Sequence, residues 1–144
     1  MACIVQDSLE RLAALMDNVQ VTLSDGTVVS VVGPRQGVGG NIPETPFIEV
    51  GSSSIELEEL GNNCLITLTA QVVVSVRMGG DPARENEILN RVFCAVRQRI
   101  KDDPTLGGLV EHARLAGASV ATVLVEGAEY WVMMGRAEVR YREC

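Results

Sequence analysis

One long amphipathic segment constrains the fold of this chain more than any other feature. Residues 82–103 lie between a long alternating run and a closing pair of alternating runs. The apolar residues of this segment recur at helical spacing and form one stripe, which consists of Ile88, Leu89, Val92, Phe93, Val96 and Ile100. Asp81 stands where an N-cap is expected, and Pro82 occupies the first helical position. We therefore predict a helix of about six turns that buries its stripe in the core.

A short helix and a hairpin are predicted for residues 1–32. The apolar positions at helical spacing are Val5, Leu9, Leu12, Ala13 and Met16. Asp7 or Ser8 is the expected cap of this helix, and Asn18 is the expected end. Asp25 and Gly26 then separate two alternating runs, residues 19–23 and 27–32, which is a strong hairpin signal because such turns need positive φ.

Alternating strands dominate the rest of the chain. They cover residues 47–50, 54–58, 64–78, 119–125 and 129–142. Val73 interrupts the alternation of the longest run, so we expect both faces of the sheet to be covered there. The order of elements predicts a single α+β domain over residues 1–144. We expect a two-layer sandwich, in which a mainly antiparallel twisted sheet carries both helices on one face and its other face meets water or a partner.

The extended loop at residues 33–46 holds three prolines and four glycines, a composition that predicts no regular structure. Loops of this length are usually functional or mobile. A phosphate-binding loop is not expected, because Val38 stands where the second glycine of that pattern should be and no lysine follows. The dinucleotide-binding pattern fails at Ile42. We expect Ile42, an isolated apolar residue, to anchor on a neighbour.

Composition and charge exclude several classes of function. The 144-residue chain has a formal net charge of -7, the opposite of what coating duplex DNA requires. The N-terminus lacks a basic signal region, and no apolar run is long enough to span a membrane, so we expect a soluble intracellular protein. The four cysteines, at positions 3, 64, 94 and 144, are widely spaced, and His112 is the sole histidine. We expect thiols rather than zinc ligands or disulfides, with Cys64 and Cys94 packed among apolar residues.

No group of residues predicts catalysis. The segment 117–121 resembles a nucleophile elbow only loosely and lacks a strand-turn-helix context. Glu56, Glu58 and Glu59 are typical of a solvated face or of protection against edge-to-edge aggregation. We therefore expect no enzymatic activity, no cofactor and no metal site. A small enzyme or ligand-binding domain remains the alternative from another class, and it would require a deep pocket with convergent polar groups.

In its order of elements, the chain resembles the tail-terminator, or tail-completion, proteins of long-tailed double-stranded DNA bacteriophages. Three pieces carry the resemblance. They are the strand Pro-Phe-Ile-Glu-Val-Gly at 46–51, the long strand followed by the helix at 84–100, and the segment Asp-Pro-Thr-Leu-Gly-Gly-Leu-Val at 103–110 that leads to the final strand at 136–141. The resemblance covers nearly the whole chain in layout, and its motifs are structural.

The resemblance implies a virion protein, assembled in the host cytoplasm, that forms a closed and typically six-fold ring. Such a ring caps the head-proximal end of the tail tube, halts tube growth and joins the tail to the neck or connector. DNA crosses its channel without sequence-specific binding, which suits the negative net charge. A neck or head-completion adaptor is the alternative within the same class.

A ring needs a heterologous interface whose rotation closes. The residues expected at contacts with other copies or partners are Arg35, Ile42, Phe47, Met78, Asp81, Trp131, Met133, Met134, Arg136 and Arg140. Methionine adapts to imperfect surfaces and tryptophan is a frequent interface anchor, although core burial is an equally good expectation for Trp131. The arginines alternate with acids, a pattern that favours a protein contact over a phosphate track. A charged residue at Ile42 or Met133 is expected to weaken the ring.

Overall fold

A computed structural model describes residues 3–143, except for the side chain of Leu60. Two helices and seven strands follow one another in these residues. They are α1 (Ile4–Leu15), β1 (Gln20–Thr22), β2 (Val28–Ser30), β3 (Val32–Gln36), β4 (Phe47–Leu60), β5 (Asn63–Arg77), α2 (Pro82–Asp102), β6 (His112–Val125) and β7 (Ala128–Glu143).

Five strands form the main sheet, in the order β3-β4-β5-β7-β6. All neighbours pair antiparallel except β3 and β4, which are parallel. The strands β1 and β2 pair separately as the predicted hairpin, and Gly26 adopts φ +88 in its turn. The predicted α+β fold, with an N-terminal helix and a long helix on a mainly antiparallel sheet, is confirmed.

Both helices pack on one face of the sheet, which we call the front face. The core there joins α1 and α2 to alternate residues of the central strands, including Leu68, Val72 and Val74 of β5 and Val139 of β7. The predicted stripe of α2 is buried, apart from the half-buried Phe93. Asp81 caps α2 by accepting a hydrogen bond of 3.2 Å from the Arg84 amide, as predicted.

The opposite face, which we call the back face, is covered at one end only. Val73, Tyr130 and Val132 form a small second cluster there, and Ile42 packs against it from the loop before β4. The prediction made from the interrupted alternation at Val73 is therefore confirmed, since both faces of the sheet are covered at that point.

Helix α1 begins earlier than predicted. Its N-cap is Cys3, with no side-chain hydrogen bond, so neither Asp7 nor Ser8 is the cap. Ile4 and Val5 pack against the core, which extends the helix by a turn at its start. Ser8 is fully buried, and its hydroxyl has no hydrogen-bond partner within residues 3–143.

Strands β4 and β6 are longer than their local patterns predicted, whereas β1 and β2 are shorter and β5 has the predicted length. β3 extends from Val32 into the first residues of the loop that was expected to lack regular structure, and this expectation was wrong there because an edge strand accepts Pro34. Gly33, at φ +108, allows this pairing, since a Cβ there would stand 2.6 Å from the Ile48 carbonyl oxygen. β4 is one strand across residues 47–60 with an irregularity near Ser52, and β6 begins at His112. Cys94 is exposed on α2, so its predicted packing among apolar residues was also wrong.

Candidate interaction surfaces

The loop before β4 is held on the back face by a buried carboxylate. Glu49 accepts hydrogen bonds from the Arg35 guanidinium at 2.6 Å and from the Gly39 amide at 2.9 Å. Arg35 also lies over the Phe47 ring, 4.9 Å from its centroid, and donates to the Asn41 carbonyl at 2.6 Å. Phe47 itself is buried. Two of the residues predicted at a partner contact, Arg35 and Phe47, thus contribute to the internal structure of the subunit.

A second buried carboxylate fixes the junction between β5 and α2. Glu85 accepts hydrogen bonds from the Gly79 amide at 3.0 Å, the Asp81 amide at 3.1 Å and the indole Nε1 of Trp131 at 3.1 Å. The Gly79 amide lowers the pKa of Glu85 most, the Asp81 amide and the Trp131 indole lower it further, and burial opposes them. Trp131 is half-buried against the main core. This arrangement favours the core role that was expected equally for Trp131.

Three further predicted contact residues have internal roles. The Met78 amide donates to the Glu129 carbonyl at 3.0 Å, and Asp81 caps α2. Met133 is buried in the main core, so a charge placed there would test folding before it tested assembly. Ile42 packs on the back face of its own sheet, and its contact with a neighbour stays a prediction.

The remaining three predicted residues lie together on the back face. Met134, Arg136 and Arg140 are exposed on β7 and alternate with buried residues. Arg136 leans toward β6, since one of its guanidinium nitrogens lies 3.8 Å from the point where a Cβ on Gly117 would stand. No ion pair of Arg136 is formed with the described residues, whereas Arg114 pairs with Glu138 at 3.2 Å. The predicted mixture of charges is therefore present on this face.

The two sides of the back face differ in charge. Glu56 and Glu58 of β4 lie opposite Thr67 and Leu65 of β5, and both carboxylates are exposed. Basic residues occupy the other side, on β6 and β7, and consist of His112, Arg114, Arg136, Arg140 and Arg142. The sheet therefore presents an acidic margin and a basic margin, two to three strands apart.

Both margins of the sheet have backbone edges without a strand neighbour in the described part of the chain. β6 is the last strand of the sheet, and its uncharged residues 118–125 form what we call the β6 open edge. β3 pairs with β4 only as far as Val50, which leaves residues 52–59 as the β4 open edge. Unpaired edges bind other strands readily unless they are blocked.

Large apolar side chains lie on these two edges and are exposed. On the front face, Ile55 and Leu57 of β4 are 55% and 62% exposed, and neither belongs to the core that joins the helices to the sheet. Val120 and Leu124 of β6 are 53% and 69% exposed on the same face. Sequence reasoning missed all four. The alternation of apolar and polar residues in these strands was visible in the sequence. Such alternation does not distinguish a strand face that is covered by a helix from one that is not.

An open groove of about 430 Å³ lies between the end of α2 and the start of β6. Its lining includes Arg97, Lys101, His112 and Arg114, and it holds no carboxylate, serine or cysteine. Within residues 3–143, no cluster of three or more histidine, cysteine, aspartate or glutamate side chains is arranged to hold a metal ion.

No protein-family model matches this chain, and no curated protein matches its sequence. Neither of the two described helices has both the length and the apolar content needed to cross a membrane.

Proposed function

We propose that this chain is a structural subunit of the virion of a long-tailed bacteriophage. It forms a six-membered ring that caps the head-proximal end of the tail tube, stops tube polymerisation and joins the tail to the neck or connector. The sequence resemblance to tail-terminator proteins supports the ring size and its position. DNA passes through the ring without sequence-specific contacts.

One observation carries the assembly part of this proposal. The four most exposed large apolar residues of the main sheet, Ile55, Leu57, Val120 and Leu124, lie on two edges that have no strand neighbour among residues 3–143, at opposite sides of one subunit, and the two edges differ in sequence. Edges of different sequence favour heterologous contacts, in which one edge of each copy meets the other edge of the next. A heterologous contact leaves one edge unsatisfied until a ring closes, so a closed ring is the assembly that covers every edge.

Electron microscopy of a phage that lacks this protein tests the position in the virion. We expect tail tubes that are longer than normal and are not attached to heads, because nothing then stops polymerisation. Expression of the protein from a plasmid should restore both tail length and attachment, which excludes effects on neighbouring genes.

Two other outcomes separate the alternatives. Tubes of normal length beside detached, filled heads would favour the neck or head-completion adaptor. Normal, infectious particles without the protein would contradict a structural role in the virion.

A further inference from the structure

We infer that adjacent copies of this chain pair through their open edges, with the β4 open edge of one copy antiparallel to the β6 open edge of the next. The inference rests on the proposed function and specifies which surfaces make the ring. Three independent features of the two edges support it: direction, apolar match and charge.

The strand directions fit this pairing. β4 and β7 run in the same direction, because each is antiparallel to β5, and β6 is antiparallel to β7. When a second copy continues the sheet in the same orientation, its β6 therefore runs antiparallel to β4 of the first. The result is the pairing used by most strands within the subunit, and it satisfies backbone donors and acceptors that each edge leaves open.

The apolar residues select the register. Pairing Leu57 with Val120 of the next copy places Ile55 opposite Thr122, between Val120 and Leu124. All these residues lie on the front face, as judged from their partners within the subunit, Ile66 for Leu57 and Met133 for Val120. The contact covers the four most prominent apolar side chains of the two edges. It also explains why the edges remain apolar in spite of the aggregation risk.

The same register matches the charges of the back face. Glu58 then lies opposite Ser119, next to Gly117 and Arg136. The Arg136 guanidinium already lies beside Gly117, on the side of the β6 open edge. The small residues at positions 117 and 119 leave space for it to reach that edge. An exposed carboxylate from the acidic margin of one copy therefore reaches an exposed guanidinium on the basic margin of the next.

The register implies a stagger between copies. Leu57 pairs with Ile66 of β5. Val120 pairs with Met133 of β7, and Met133 in turn pairs with Val74 of β5. Adjacent copies are thus displaced by about eight residues, or about 27 Å, along the strands. A repeated displacement of this kind tilts the strands relative to the ring axis, which is what closing a sheet requires.

Paired blocking variants test whether the contact joins two different edges. In one variant, Ile55→Lys with Leu57→Lys blocks the β4 open edge, and in the other, Val120→Lys with Leu124→Lys blocks the β6 open edge. We expect each variant alone to be monomeric by mass photometry. Mixed together, they should form a heterodimer of about twice the 15.5 kDa subunit and nothing larger, because each keeps the edge that the other lacks. Val28→Lys, at an exposed apolar position of the separate hairpin, is the control and should form rings.

Cysteine cross-linking tests the register. Leu57→Cys with Val120→Cys, in a chain whose four natural cysteines are serine, should give a ladder of covalent oligomers on a denaturing gel after oxidation. Val28→Cys with Val120→Cys should not. Circular dichroism checks that every variant is folded.

The outcomes separate this inference from the proposed function. Rings without a ladder, or blocked variants that still form rings, overturn the pairing and leave the tail role intact. A ladder and a heterodimer, together with normal tails in the deletion phage, support the pairing and contradict the tail role. A monomeric wild-type chain that gives no ladder overturns the pairing.

Discussion

The two ends of β4 show how differently one strand can be used. Near its start, Glu49 is buried and accepts hydrogen bonds from Arg35 and Gly39 of the same chain. Toward its end, Glu56 and Glu58 are exposed on the same face of the sheet, and the edge beside them has no described neighbour. The first half of the strand completes the subunit, whereas the second half remains available for another chain.

A similar contrast between a residue packed within the subunit and a residue left exposed occurs between β7 and β6. Met133 is buried in the core, whereas its partner Val120, on the same face and the adjacent strand, is exposed. Position in the sheet, and not residue type, therefore decides whether an apolar side chain stabilises the subunit or is free to stabilise an assembly. Of the contact residues predicted from sequence, two are buried (Phe47 and Met133), four are half-buried (Arg35, Ile42, Met78 and Trp131) and four are exposed (Asp81, Met134, Arg136 and Arg140).

The largest expected effect comes from comparing a lysine placed at a buried position with a lysine placed at its exposed cross-strand partner. Met133 is 4% exposed and Val120 is 53% exposed, although they are direct cross-strand partners. Met133→Lys buries an unpaired ammonium group, so we expect a loss of more than about 4 kcal/mol in the free energy of unfolding, or no folded protein. Val120→Lys should change the free energy of unfolding of the dissociated subunit by less than about 0.5 kcal/mol while weakening ring formation.

Urea unfolding followed by circular dichroism measures both variants, and mass photometry measures their assembly. Similar losses of stability in the two variants would show that Val120 is part of the core, which would contradict the contrast between a buried Met133 and an exposed Val120.

A smaller effect is expected at the two ends of β4. Glu49→Gln removes the charge that Arg35 pairs with and weakens the acceptor of the Gly39 amide, so we expect a loss of about 1–3 kcal/mol. Glu56→Gln, on the same strand and face, should cost less than about 0.5 kcal/mol. Urea unfolding gives the two values, and hydrogen exchange should accelerate in residues 37–42 of the Glu49 variant alone. Unchanged exchange in that segment would mean that Glu49 does not hold the loop.

The sequence predicts the local elements of this fold well. Helix α2, its cap at Asp81 and the alternation of β7 around Val139 follow from residue spacing, because a helix or strand repeats its environment at a fixed period. The single-face placement of both helices also follows, since two apolar stripes need one shared core.

The extents of β4 and β6 and the candidate surfaces could not be predicted in this way. Ile55 and Leu57 alternate just as Ile48 and Val50 do, yet only the second pair is buried. What separates them is the short length of β3 and the reach of the helices, and both depend on distant parts of the chain. The hydrogen bond between Glu85 and Trp131 likewise joins residues 46 positions apart. Spacing within a segment holds no information on such contacts.

The smallest expected effect concerns the charge of Glu85 at the junction before α2. Hydrogen bonds, first from the Gly79 amide and then from the Asp81 amide and Trp131, hold the pKa of Glu85 below its ordinary value of 4.5. The folded state therefore prefers the carboxylate. The stability that this preference contributes is fully present above about pH 4.5 and is lost as the pH falls through the lower pKa of the folded state.

Glu85→Gln cannot lose a charge on acidification, so the Tm of this variant should lie a few degrees below that of the wild type near pH 7, and the difference should shrink as the pH falls from about 5 to about 3. Other carboxylates titrate in both chains, and comparing the two melting curves at each pH removes their contribution. Glu44→Gln, at an exposed position of the loop before β4, is the control and should follow the wild type throughout. A difference in Tm that stays constant across this pH range would mean that Glu85 stabilises the junction by its shape and neutral hydrogen bonds, and that its charge contributes nothing.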